Sequence, residues 1–207
     1  MMSRRWTATQ PAAALPDRRA VLAVLGSLLP AAALAQGAAP ASAVAEDPRR
    51  ELLLRRQEAA LLHRKADLSG VRLLRAGQAI NVQPPVANLL ILHIWAVECR
   101  PCIDELPVLR RITESLSRMP QVKIVLVSET HDLPTLNGFL KQQAANVPRV
   151  EQYQSLDERL RGSLQDNTQP ATLFLDAMNV VRQAFLGSLK QRRSEFVDAI
   201  SRMVRSL

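Results

Sequence analysis

Apolar positions after residue 46 fall into short runs separated by charged segments, and the spacing within each run predicts its element. Glu46 to Asp67 is charged and carries Leu52, Leu53, Leu54, Leu61 and Leu62. Asp47-Pro48 reads as an N-cap with proline at the first helical position, so an exposed or docking helix is expected there. Val71 to Val82 predicts a short hairpin turning near Ala76-Gly77, and Leu89 to Trp95, apolar except for His93, a buried strand. Helical spacing follows from Cys99 to about Met119, then a second buried strand over Val122–Val127 and a helix over Pro134–Ala144. Val150–Tyr153 reads as a short strand and Leu156–Leu164 as a helix. Ala171–Leu175 and Val180–Phe185 read as a hairpin, and Ser194–Arg205 as a closing amphipathic helix. Strands and helices in this order predict an α/β domain: a central mixed sheet covered on both faces, with an extra helix at its N-terminal side.

The first 45 residues follow a different pattern. Arg4, Arg5, Arg18 and Arg19 precede the apolar stretch Ala20–Leu29, and Ala33-Leu34-Ala35 supplies a small-residue cleavage pattern. These are the three regions of a secretory signal peptide over 1–35, and the apolar part is shorter than the ~20 residues of a membrane span. Asp17-Arg18-Arg19 also resembles a twin-arginine signal, which leaves Sec and Tat export, and retention as an anchor, open. Residues 36–45, small and low in complexity, predict a flexible tether, so 36–67 comprises tether plus helix and 68–207 the main domain. An exported chain belongs in the periplasm or another extracytoplasmic space.

Charge narrows the partners. Of 27 basic and 19 acidic residues, the signal segment holds four Arg and one Asp, leaving 23 and 18, a net charge of +5. They are mixed along the chain with a single Tyr, so no basic stripe with interleaved aromatics points to nucleic acid. A solvated surface on a monomer is expected.

The candidate chemistry is Trp95-Ala96-Val97-Glu98-Cys99-Arg100-Pro101-Cys102, which contains both cysteines of the chain in one Cys-x-x-Cys. Its place between a buried strand and a helix sets Cys99 at a helix N-terminus, where unpaired N–H groups and the dipole favour thiolate over thiol. A zinc site would need two further ligands, but no second Cys pair and no His-x3–5-His accompanies the motif; the histidines are His63, His93 and His131. A purely structural disulfide is also a poor fit, since so short a loop removes little unfolded-chain entropy. His93, at one position within a strand, reads as packed or hydrogen-bonded rather than as a ligand. Redox chemistry by the pair itself, with no metal and no other cofactor, is the reading that remains. Arg100 adds positive charge beside Cys99, and Pro101 costs little at a helix start.

From Trp95-Ala96-x-x-Cys99-x-Pro101-Cys102 onward the chain resembles the thioredoxin-fold family, most closely its exported TlpA/ResA-like branch, over roughly residues 68–207. Three further matches follow in order. Glu105 and Pro107 stand like the acidic residue and helix-kinking proline after the family's active site, and the strand at Val122–Val127 with the helix after it is similar to the branch's inserted unit. Asn167-Thr168-Gln169-Pro170-Ala171-Thr172-Leu173-Phe174-Leu175-Asp176 resembles the family's cis-proline segment. The resemblance implies a thioredoxin fold and assigns Cys99 as nucleophile, Cys102 as resolving cysteine and Glu105 as a carboxyl coupling thiol protonation to redox state. It places Trp95 under the active-site loop and makes Gln169 and Pro170 a backbone edge for substrate.

Two departures bear on function. Glu98 replaces the usual aromatic before the nucleophile and puts negative charge beside Cys99, and Gln169 is longer and more polar than the residue usual before the cis-proline. A third, Asn179 for a turn glycine, suits the left-handed geometry that Asn accepts. The expected activity is reduction of protein disulfides, with apocytochrome c or copper-site cysteines as substrates the resemblance implies and a membrane protein as electron donor. The same residues could serve a dithiol oxidase of this fold, or a copper-holding chaperone or redox-sensing module, although no His follows His131.

Overall fold

A computed structural model describes residues 47–116, 118, 119 and 121–206, so the expected signal peptide and tether lie outside the described residues. The described elements run α1 (Pro48–Leu61), β1 (Val71–Arg75), β2 (Gln78–Ile80), β3 (Leu89–Trp95), α2 (Arg100–Leu116), β4 (Val122–Ser128), α3 (Leu133–Gln142), β5 (Glu151–Ser155), α4 (Arg159–Leu164), β6 (Ala171–Leu175), β7 (Val181–Leu186) and α5 (Arg193–Arg205). They build one mixed sheet in the order β2-β1-β5-β4-β3-β6-β7. Among the described residues no helix is long and apolar enough to cross a membrane.

β3 explains the arrangement. It pairs in parallel with β4 from Leu89 opposite Val122 to Trp95 opposite Ser128, and antiparallel with β6 from Leu90 opposite Leu175 to Ile94 opposite Ala171. A strand bonded on both edges and covered on both faces has no side facing water, which is why its seven residues are all buried. Leu90, Leu92 and Ile94 face one core with Leu61 of α1 and Leu160 and Leu164 of α4. Leu89, Ile91 and Trp95 face the other, with Leu106 and Leu109 of α2 and Phe196 and Ile200 of α5. Phe174, Phe185 and Phe196 join β6, β7 and α5 in that second core, with ring centroids 5.3–5.8 Å apart.

The segment Val122–Val127 occupies a different place from the one expected. β4 lies beside β3 at the centre of the sheet, hydrogen-bonded along its length, so it belongs to the basic frame. The added unit is α3 with β5, which extends the sheet in parallel past β4 and in turn carries β1 and the β1–β2 hairpin. α4 begins at Arg159 instead of Leu156, because the Asp157 side chain takes the Arg159 N–H at 3.0 Å and leaves Leu156 exposed before the helix.

α1 is a docking helix. Its Leu61 is buried, and the chain leaving it bonds β7 through His63 N–H to Val181 O at 2.9 Å and Val181 N–H to Arg64 O at 2.8 Å. Glu58 is almost fully buried; its carboxylate accepts the Leu186 N–H at 2.8 Å and pairs with Arg192. Arg55 pairs with Glu195 alongside. A buried carboxylate is tolerated only where such partners replace water. Leu52 and Leu53 lie on the opposite, exposed side of the helix.

The β1–β2 turn supplies a stability test. Ala76 and Gly77 both have positive φ, 50° and 78°, the geometry that favours Asn-Gly, and Ala at the first position is strained. Ala76→Asn is expected to stabilise the protein by about 1 kcal/mol, seen as a higher midpoint in urea at unchanged m-value. An unchanged or lower midpoint contradicts this reading of the turn.

Candidate active site

β3 delivers the chain to the motif, and the turn beyond it is pinned from β4. Glu129 N–H donates to Trp95 O at 2.9 Å, and Val97 N–H donates to the Thr130 hydroxyl at 2.8 Å. Cys99 is the residue before the first turn of α2. Its carbonyl accepts the Ile103 N–H at 3.2 Å and its Sγ accepts the Cys102 N–H at 3.3 Å, so the sulfur takes the place of an N-cap oxygen. Pro101 brings no N–H to this turn, where none is needed. Cys99 and Cys102 form a disulfide with Cα atoms 5.3 Å apart. Cys99 is half-buried while Cys102 is fully buried, so an incoming sulfur reaches Cys99 first.

The charged neighbours of Cys99 are turned to other partners. Arg100 is 84% exposed and ion-paired with Asp104 at 3.1 Å, which divides its charge between that carboxylate and solvent. The Glu98 carboxylate accepts a bond from the Thr130 hydroxyl at 3.1 Å, the same hydroxyl that receives the Val97 N–H. Thr130 thus holds the turn and the Glu98 side chain together. Trp95 is fully buried in the core cluster that contains Cys102 and Leu106, 5.5 Å from the ring of Phe139 on α3.

Glu105 lies one helical turn after Cys102 and on the same face of α2. It is fully buried; its Oε2 accepts the Leu189 N–H at 2.6 Å and its Oε1 stands 3.4 Å from His93 Nε2 on β3. Burial pushes the Glu105 carboxyl up to about 7, against the opposing pull of the Leu189 N–H, the Ser188 hydroxyl and the Lys190 charge. His93 is equally buried, which lowers its imidazole to about 3 and keeps it neutral. Its Nδ1 is 2.9 Å from the Thr172 hydroxyl on β6, the residue opposite it in the ladder.

The other wall is the 169–170 segment. Pro170 follows a cis peptide bond and precedes Ala171, which pairs with Ile94, so the segment lies at the end of the sheet from which Cys99 emerges. The side chain of Gln169 is bonded to Glu129, whose carboxylate also takes two bonds from Arg161, at 2.5 and 2.7 Å. Arg161 in turn reaches the carbonyls of Asp166 and Thr168, each at 3.2 Å, and fixes the loop leading to Pro170. A cavity of about 250 Å³ opens behind Gln169, lined by Glu129, His131, Arg161 and Asn167 among others.

Of the residues singled out in the sequence, Cys99, Cys102, Glu98, Trp95 and Glu105 gather around the head of α2. Gln169 and Pro170 border the same end of the sheet, while Arg100 and Pro101 face solvent. Thr130, Glu129 and Arg161 were missed, and no local spacing marks them. The one available signal was Gln169 itself, a long amide that needs a partner when partly buried.

No protein-family model and no curated relative matches this chain. Solved structures do. A candidate thiol:disulfide interchange protein DsbE from Chlorobium tepidum superposes with a TM-score of 0.53 at 14% identity, over 69% of this chain and 96% of that one. A candidate protein disulfide isomerase from Bacteroides thetaiotaomicron gives 0.56 at 12% identity, over 70% and 90%. An uncharacterized thioredoxin-like protein from Porphyromonas gingivalis gives 0.52 at 16% identity, over 69% and 94%. The sheet order, the Cys-x-x-Cys at the head of α2 and these superpositions define a thioredoxin fold. The chain is a thioredoxin-fold protein with its cysteine pair at the N-terminus of the helix after β3.

The buried carboxyl carries a pH prediction. A group raised from 4.5 to about 7 by folding contributes full stability below pH 4.5, and that contribution is lost as pH rises through 7. In Glu105→Gln the loss is absent, so the wild-type stability relative to the variant should fall by about 3 kcal/mol between pH 4.5 and 8. Denaturant melts of both oxidised proteins across this range test it, and parallel pH profiles refute the assignment.

Proposed function

We propose that this protein is an exported thiol-disulfide oxidoreductase of the TlpA/ResA-like kind, acting mainly as a reductant of protein disulfides. The observation that carries this reading is the asymmetry at the head of α2: a half-buried Cys99 whose sulfur takes a backbone N–H, followed by a fully buried Cys102. The bond and dipole that act on Cys99 Sγ favour its thiolate once the pair is reduced. That thiolate attacks a substrate disulfide, one substrate sulfur leaves as thiolate, and a mixed disulfide forms on Cys99. Cys102 then attacks Cys99 Sγ, releasing the second substrate sulfur and restoring the Cys99–Cys102 bond. Two electrons pass to the substrate, and a membrane electron donor returns them.

A peptide segment is bound along Gln169 and Pro170. Apocytochrome c or copper-site cysteines are the substrates that suit an exported reductant, and the protein works as a monomer without nucleic acid. The names of similar folds, a candidate disulfide interchange protein and a candidate disulfide isomerase, support dithiol chemistry. The basic-then-apolar pattern of residues 1–35 supports export.

Cys102→Ser is expected to accumulate mixed disulfides with substrate proteins through Cys99, while Cys99→Ser reduces a model protein disulfide at the uncatalysed rate. Retained activity in Cys99→Ser contradicts the proposal. Direction is read from the reduction potential of the pair in defined thiol buffers. A value near or below about −270 mV marks a reductant, and one near about −120 mV a dithiol oxidase.

A further inference from the structure

Among the described residues, the buried side-chain atoms left without a hydrogen-bond partner are His93 Nε2, Trp95 Nε1 and Glu105 Oε1. Two of these three face each other, 3.4 Å apart, with Glu105 one helical turn along α2 from Cys102. Two bare acceptors in contact would leave both buried groups unsatisfied, a costly arrangement away from the protein surface. One proton between them removes both deficits.

We propose that His93 and Glu105 act as a single buried proton-holding pair, in which His93 Nε2 accepts the carboxyl proton of Glu105 while the Cys99–Cys102 disulfide is formed. Burial assigns the proton to the carboxyl, because it raises the acid and depresses the imidazole. For Nε2 to accept, the ring hydrogen must sit on Nδ1, and the Thr172 hydroxyl 2.9 Å away is its acceptor. The β3–β6 register, with His93 opposite Thr172, fixes that ring orientation.

The groups facing Glu105 are these. Cys102 lies one turn back on its own helix, His93 on β3 with Thr172 of β6 behind it, and the Ser188 hydroxyl, Leu189 N–H and Lys190 ammonium on the segment before α5. The last three favour the carboxylate, whereas His93 in this tautomer favours the acid. His93 is therefore a positioning residue that decides how firmly Glu105 keeps a proton.

The inference rests on the exchange reaction proposed above and supplies its proton balance. In the reduced protein Glu105 is ionised and Cys102 is a thiol. As Cys102 sulfur bonds to Cys99 Sγ and the substrate sulfur leaves as thiolate, the Cys102 proton passes to Glu105, whose O–H then donates to His93. In the reverse direction Glu105 returns that proton to the departing Cys102 sulfur.

The test is ¹⁵N-histidine NMR of the oxidised protein at pH 6. His63 and His131 are exposed, and loss of a signal in His93→Gln assigns the third residue. A neutral His93 protonated on Nδ1 and bare on Nε2 is expected, and protonation on Nε2 overturns the pair. The second readout is the pH dependence of the reduction potential. His93→Leu should move the Glu105 break down by up to about one pH unit, and His93→Gln, whose amide oxygen can accept, should restore it. A break that stays or moves up in His93→Leu also overturns the pair. The two readings fail separately: a cysteine pair that does not cycle beside the expected imidazole signal removes the exchange reaction alone, and a cycling pair with Nε2 protonated removes the dyad alone.

Discussion

The pairing of β3 with β4 on one edge and β6 on the other is the constraint from which the rest of the structure follows. It leaves β3 no water-facing side, so the strand is apolar apart from His93, and it fixes the height at which the chain leaves the sheet. Bonds from Glu129 and Thr130, just past the end of β4, then hold the turn after Trp95 in place. A helix that starts there must start beside the sheet end, with its first unpaired N–H groups around Cys99. The chemistry of the pair is thus set by where a strand ends.

The two buried carboxylates show opposite solutions to one problem. Glu58 has Arg192 and a backbone N–H, and its charge is matched inside the fold, where it ties α1 to β7 and the start of α5. Glu105 has the Leu189 N–H at 2.6 Å, the Ser188 hydroxyl, the Lys190 charge and a neutral imidazole, which together do not offset its burial. The first is an anchor and the second a site for a proton. Their difference lies in the partners alone, since both side chains are almost wholly out of solvent.

Much of the frame was legible because its signals are local. The continuous run Leu89–Trp95, the Asp47-Pro48 start of α1, the turn at Ala76-Gly77 and the left-handed Asn179, with φ of 60°, need no distant partner to be read. β5 was harder. It ends in Gln154 and Ser155, polar residues that are buried only because Gln154 bonds the carbonyls of Thr130 and His131 and Ser155 that of Asp157. The role of Val122–Val127 was misplaced for a related reason, since strand order is a property of pairing that a run of apolar residues does not encode. At the site, the cysteines and Glu105 could be read from spacing and resemblance. The Glu129–Arg161–Gln169 network and the partnership of His93 with Glu105 join residues far apart in the chain, and each member alone looks like an ordinary polar position.

The central claim is that the fold makes Cys99, and not Cys102, the reactive sulfur. The most direct measurement is alkylation of the fully reduced protein with substoichiometric iodoacetamide at neutral pH, followed by peptide mapping. The account predicts label on Cys99 at least tenfold faster than on Cys102, with the Cys99 rate rising through a pKa below the ordinary thiol value of about 8.5. Equal labelling of the two, or faster labelling of Cys102, would contradict it.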